Sequence, residues 1–148
     1  MVNHKEFMAV LDEPRIVDAI GAAERETSGE IRVHIQPKAV GGEIRYVAER
    51  TFERLKMTKT ALRNGVMLFI CSEENRFVIL GDQGIDEKVP AGFWDEIATL
   101  LTDRFKQGAF TEGIVEAIGA AGAHLKAYFP RADDDVDELS NEISVSED

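Results

Sequence analysis

Three short stretches of this chain carry oxygen ligands beside a fixed cation: Ser28-Gly29-Glu30, Arg63-Asn64 and Asp82-Gln83-Gly84-Ile85-Asp86. Carboxylates, an amide oxygen and loop carbonyls form the donor set of a hard cation such as Ca2+ or Mg2+, and glycines among them let backbone approach closely. Glu30, Asn64, Asp82 and Asp86 are therefore the candidate metal ligands. Arg63 has two readings: it neutralises a carboxylate in the metal's place, or it receives an anion beside the metal. The plainer account of Asp82 and Asp86 is that they stabilise turns and cap a short segment at 86–89, which Asp side chains do well.

These stretches matter only if the fold gathers them. Apolar residues at Ile16, Ala19, Ile20 and Ala23 mark one helix face, with Asp12 as its N-cap and Pro14 in the first turn. Ile31, Val33 and Ile35 alternate with Arg32, His34 and Gln36, which predicts an edge strand or one with a partly open second face. A helix is expected over 43–57. Val66 to Cys71 is apolar on both faces and reads as a central strand. The polar turn Ser72-Glu73-Glu74-Asn75 leads to Phe77-Val78-Ile79-Leu80, an antiparallel partner. Two further helical stripes follow, Phe93 to Phe105 and Ile114 to Phe129, the second with Thr111 as a candidate N-cap. The first two strands flank a helix, so they should run parallel. Gly65 then faces Asp82, Cys71 faces Arg76, and the three oxygen-bearing stretches meet at one end of the sheet. The fold class is α/β: a three-layer α/β/α sandwich with a mixed central sheet and helices on both faces.

The opposite end carries Lys38 and Gly41-Gly42-Glu43 before a helix start, where exposed N–H groups hold anions in other folds. The loop is not of Walker type, and backbone freedom accounts for its glycines.

Composition narrows the function. The 148 residues are 44% hydrophobic and 30% charged, which fits one globular domain. Lys and Arg number 17 against 28 Asp and Glu, a net charge of −11, which argues against nucleic acid as a partner. No apolar run is long enough to insert in a membrane, and the N-terminus lacks the pattern of a secretory signal. With a single cysteine, Cys71, the expected location is cytoplasmic. Residues 1–130 form the expected domain. Residues 131–148 carry eight acids against Arg131 alone and read as a flexible, solvated tail. Val136, Leu139, Ile143 and Val145 interleave the acids, so the tail has a second reading: it docks back on the domain or binds a partner through Leu139 and Ile143. Asp133-x-Asp135-x-Asp137 resembles the start of an EF-hand loop, but Glu138 and Ser144 stand where that loop needs Gly and Glu.

Other chemistries lack their signatures. His4, His34 and His124 are far apart in sequence, and no His-Glu-x-x-His or Gly-x-Ser-x-Gly occurs. Cys71 lies inside an apolar strand and reads as an inert core thiol. His34, on the polar side of its strand, is expected to be exposed or hydrogen-bonded. Phe93 and Trp94 are expected in the core.

From about Ile16 to Pro130 the chain resembles the TPM domain of thylakoid lumen proteins, a photosystem II repair factor and receptor modulators. The resemblance rests on Ala23-Glu24, Thr27-Ser28-Gly29-Glu30-Ile31, Gly41-Gly42-Glu43-Ile44, Asn64-Gly65-Val66-Met67-Leu68, Gly84-Ile85-Asp86 and Phe105-Lys106-Gln107-Gly108-Ala109-Phe110. It departs from the family at Arg63, where an acidic residue is common, and at Asp82-Gln83-Gly84-Ile85-Asp86, where Gly-Tyr-Gly-Leu-Glu is usual. The resemblance implies an α/β/α sandwich, divalent-cation binding and, for some members, acid phosphatase activity. Relatives serving different membrane complexes imply a docking role, with a protein or membrane-protein complex as partner. The expected function is a non-enzymatic binding or regulatory domain that takes Ca2+ or Mg2+ at one end of the sheet. The alternative is metal-assisted phosphomonoester hydrolysis, with Asp82, Asp86 and Glu30 on the cation and Arg63 or Asn64 stabilising developing charge.

Overall fold

The computed structural model describes residues 3–131 and 143–146. Four strands form one mixed sheet: β1 (Glu30–Gln36), β2 (Gly65–Cys71), β3 (Arg76–Gly81) and β4 (Ser144–Val145), in the spatial order β3-β2-β1-β4. β1 runs parallel to β2 and β4, and β2 pairs antiparallel with β3. Gly65 to Cys71 are all buried, as a strand covered on both faces must be. Alternation sorts their side chains. Leu68 and Ile70 join Ile31, Val33 and Ile35 in one core, while Met67, Phe69 and Cys71 enter another.

The first core is covered by α1 (His4–Val10), α2 (Glu13–Glu24), α5 (Asp95–Lys106) and α6 (Phe110–Lys126). The second is covered by α3 (Ile44–Arg54), through Val47, Ala48 and Phe52. A one-turn helix, α4 (Gln83–Asp86), follows β3. These are the three layers expected from the sequence.

Helix ends follow local chemistry. Asp12 caps α2 by accepting from the Arg15 N–H at 3.3 Å. The helix α1 has its own sequence signal, Asn3-x-x-Glu6. Asn3 Oδ1 accepts from Glu6 N at 2.8 Å, and Asn3 N donates to Glu6 Oε2 at 3.4 Å. It delivers Phe7, 2% exposed, to the core against Phe105 and Phe110. The expected helix over 43–57 ends at Arg54 because Lys56 turns left-handed (φ 61°). Lys56 N then bonds Glu53 O, Met57 N bonds Phe52 O, and Met57 folds back into the core. Thr111 does not cap α6, whose N-cap is Ala109; its Oγ1 accepts from Asp12 N at 3.1 Å and ties α6 to the start of α2.

β1 differs most from expectation. It is not an edge, because Ser144 and Val145 pair beside His34 and Ile35, and Ser146 N donates to Ile35 O at 2.9 Å. Ile143 packs against the first core. Leu139 and residues 132–142 lie outside the described residues. His34 and Gln36 are buried because each polar atom is matched: His34 Nδ1 lies 2.9 Å from Ser144 Oγ and Nε2 lies 2.9 Å from Gln36 Oε1.

Two predictions follow from this packing. α2 and α6 approach closely at Gly122, where a Cβ would stand 2.8 Å from that of Ala23, whereas nothing lies within 4 Å of one placed on Gly119. Gly122→Ala should destabilise by about 1–3 kcal/mol through overpacking, and Gly119→Ala should stabilise by about 0.5–1 kcal/mol, read as opposite shifts of the urea midpoint. Burial holds the His34 pKa below its ordinary 6.5; Gln36 opposes this, and Arg54 and Arg32 add to it. Below pH 6.5 the unfolded chain takes a proton that folded His34 refuses. Its contribution to stability should therefore be constant above pH 6.5 and fall as pH drops toward the lowered value. An NMR titration of the His34 ring, paired with urea midpoints from pH 7.5 to 5.5, checks this.

Candidate functional site

The β-register gathers the three oxygen-bearing stretches at one end of the sheet. Glu30 aligns with Gly65 and Val66 with Gly81, while Asp82 N donates to Gly65 O at 2.9 Å. Asp82 then caps α4 by accepting from Gln83 N at 2.8 Å, and Gly84 N donates to Arg63 O at 2.9 Å. Gly84 is there for proximity: a Cβ would fall 2.1 Å from Leu62 O and 2.6 Å from Arg63 O. The turn of α4 thus lies directly on the loop that carries Arg63.

Arg63 grips Asp82 with both arms. Nε donates to Oδ2 at 2.6 Å and Nη2 to Oδ1 at 2.8 Å, a bidentate pair around a carboxylate that is 6% exposed. The hydrogen bond to Asp82 raises the Arg63 pKa above its ordinary value. Arg63 takes up a left-handed backbone (φ 51°), which a non-glycine residue adopts only at some cost in energy. Of the two readings of Arg63, neutralisation of a carboxylate is the one the geometry displays.

The pair lies in a cleft of about 270 Å³ together with Asp86 and, from α3, Arg45, Glu49 and Glu53. Partial burial is the main cause that raises the Asp86 pKa; Arg45 opposes it and Asp82 adds to it. Arg45, Glu49 and Glu53 recur every four residues, on the side of α3 away from Val47 and Ala48. That spacing was the available signal for them, but only the tertiary fold sets this face above β3.

Glu30 and Asn64 are buried and do not line the cleft. Glu30 shares the α3 face of the sheet with Asp82, but Gly65 separates them, and Met57 O and Phe52 pack over that glycine. Asn64 points to the opposite face, where its Nδ2 donates to Ser28 Oγ at 3.3 Å. The structure therefore unites Arg63, Asp82 and Asp86 and keeps Glu30 and Asn64 apart from them. Among the described residues, no three His, Cys, Asp or Glu side chains are grouped so as to hold a metal ion. Nor does Asp82 fit a cation as it stands, because both its oxygens accept from Arg63.

At the other end, Gly41 (φ 104°) and Gly42 (φ 149°) serve a loop conformation that L side chains rarely adopt. The nearby Ala39 N–H is taken by Glu74 Oε1 at 3.0 Å. Cys71 is fully buried and burial pushes its thiol up to about 12, as an inert core residue requires.

The family model for the TPM domain matches residues 2–124. The chain belongs to the TPM domain family. Among solved structures, this TPM domain is similar to the BA42 protein of the psychrophilic bacterium Bizionia argentinensis, determined by NMR. The two are 45% identical over 90% of this chain and 92% of that one, with a TM-score of 0.86. No curated protein matches. No helix among the described residues is long and apolar enough to cross a membrane.

The contact of Gly84 with the Leu62 and Arg63 carbonyls generates a prediction for this TPM domain. Gly84→Ala must push α4 off that loop and should destabilise by about 3 kcal/mol. It should also shift the amides of Arg63 and Asp82 in a 15N correlation spectrum. An unchanged spectrum at those two residues would show that the contact does not hold the pair.

Proposed function

We propose that this TPM domain is a binding or regulatory domain, and that the Arg63–Asp82 pair is the internal occupant of its ligand-responsive cleft. The observation that carries this reading is the bidentate geometry: both Asp82 oxygens are committed to Arg63, and Oδ1 also caps α4. A carboxylate so engaged is poorly disposed to act as nucleophile or base, yet well placed to exchange one cation for another. A divalent cation, Ca2+ or Mg2+, enters by releasing Arg63 from Asp82, and Asp86, Glu49 and Glu53, which line the same cleft without being grouped around Asp82, are the carboxylates that would have to move in to complete its shell. Releasing Arg63 frees a left-handed loop residue that touches α4 through its carbonyl, so cation binding is coupled to the shape of this end of the sheet. That surface is then offered to a protein partner.

A second reading, phosphomonoester hydrolysis, is favoured by one feature. Two guanidinium groups, Arg45 and Arg63, share the cleft with Asp86, a carboxyl whose pKa is raised. Arginines hold phosphoryl oxygens well, and a raised carboxyl is suited to proton donation.

Titration of the full chain with Ca2+ and Mg2+, followed by amide shifts, tests both readings. Saturable shifts are expected at Arg63, Asp82 and Asp86. Arg63→Gln should tighten cation binding roughly tenfold by removing the competing charge, and Asp82→Asn should abolish it. Shifts confined to 131–148, or unchanged in Asp82→Asn, would remove the cation from this cleft. Turnover of a phosphomonoester lost in both Arg45→Gln and Asp86→Asn would replace the binding reading with the hydrolytic one.

A further inference from the structure

The outer edge of β1 is a strand-accepting slot. Glu30 N donates to Asn64 O, just before β2, so in this parallel strand the backbone groups of Ile31, Val33 and Ile35 point away from β2. Each faces a different group. Glu24 Oε2 accepts from Ile31 N at 2.7 Å, Ser144 Oγ lies 3.4 Å from Val33 O, and Ser146 N donates to Ile35 O at 2.9 Å. Among the described residues, His34 and Ile35 are the two of β1 that pair with β4.

Although short, the slot reads side chains. Gln36 Nε2 donates to Lys38 O at 2.8 Å, which turns Gln36 Oε1 toward His34 Nε2. Nε2 must then carry the proton, and Nδ1 of the neutral ring accepts the one Ser144 hydroxyl proton at 2.9 Å, so that Ser144 Oγ stands 3.4 Å from Val33 O without donating to it. His34 is itself fixed by stacking on Phe69, at 5.5 Å between ring centroids. On the other face of the sheet Ile143 packs against the first core, while Val145 is 40% exposed. The required pattern is therefore an apolar residue, then a hydroxyl residue, in an extended segment whose next but one N–H reaches Ile35 O.

The residues that fill the slot are joined to the domain through eleven residues, 132–142, a length that reaches at most about 40 Å. A two-residue ladder has little intrinsic strength, and a tether of this length raises the local concentration of its end to the millimolar range. We propose that the outer edge of β1 is a peptide-docking surface, held closed in cis by residues 143–146, and that its partner is an extended protein segment with Ser or Thr directly after an apolar residue, which displaces them by β-augmentation. This surface is at the opposite edge of the sheet from the Arg63–Asp82 cleft and does not depend on the reading of that cleft.

The test uses the full chain with Ile143→Asp/Ser144→Asp, which disfavours the cis segment, and Ser146→Pro as a milder variant that removes the N–H donated to Ile35. The probe is the synthetic peptide Asn-Glu-Ile-Ser-Val-Ser-Glu-Asp, added while amide shifts are followed. Saturable shifts are expected at Val33 to Gln36 in both variants, with affinity at least about tenfold weaker for the wild-type chain, where the slot is occupied. A peptide with Ala at its first serine should bind about fivefold more weakly. Absence of β1 shifts in a variant whose β2 and β3 amides remain native would overturn the proposal. So would equal binding to wild type and variants. Dimerisation of the wild-type chain with the same β1 shifts would make the occupant a second copy's tail and overturn the assignment to a separate partner.

Discussion

Burial of β2 on both faces and along both edges is the constraint on which the rest of this fold depends. Its seven residues are buried, and its backbone groups must be met by strands on either side. β1 meets one edge in parallel and β3 the other antiparallel. Once those registers are set, Gly65 stands between Glu30 and Asp82, and every loop at that end has a fixed place. Glycine at position 65 is part of the same constraint. A Cβ there would stand 2.8 Å from Met57 O, so the chain leaving α3 can close over the strand only where no side chain intervenes.

The charged end of the sheet is organised by neutralisation. Asp82 is nearly buried and would be costly there alone. Arg63 supplies the opposite charge in a geometry that uses both carboxylate oxygens, and Gly84 allows α4 to sit against the backbone of the same loop. The pair is thus as much a structural clamp as a chemical group. Any ligand for Asp82 competes with a tethered guanidinium, and its binding must move the loop to which that guanidinium belongs.

The opposite edge is managed differently. A row of outward-facing N–H and C=O groups on a long strand invites pairing with other chains. Here a buried carboxylate and one backbone N–H each serve part of the row, and the Ser144 hydroxyl serves the His34 ring beside it. The sheet therefore ends in β3 on one side and, on the other, in β4, whose two residues come from far along the sequence to cover part of β1.

The sequence by itself determined the layers, the parallel and antiparallel pairings and the convergence of 28–30, 63–64 and 82–86, because hydrophobic period and loop length are local properties that act whatever the rest of the chain does. It also identified Arg63 as a candidate counter-ion for a carboxylate. It could have yielded α1, since Asn3-x-x-Glu6 is a local capping signal. Tertiary structure alone decided that Glu30 and Asn64 part from Asp82, since that turns on which face each side chain takes and on Met57 folding back over Gly65. It alone placed Arg45, Glu49 and Glu53 over β3, and it alone buried His34 and Gln36 by bringing Ser144 to the edge of β1. A polar residue in a strand reads as exposed until its partner is known. Here the partner is 110 residues away, and no local pattern encodes a hydrogen bond across that distance.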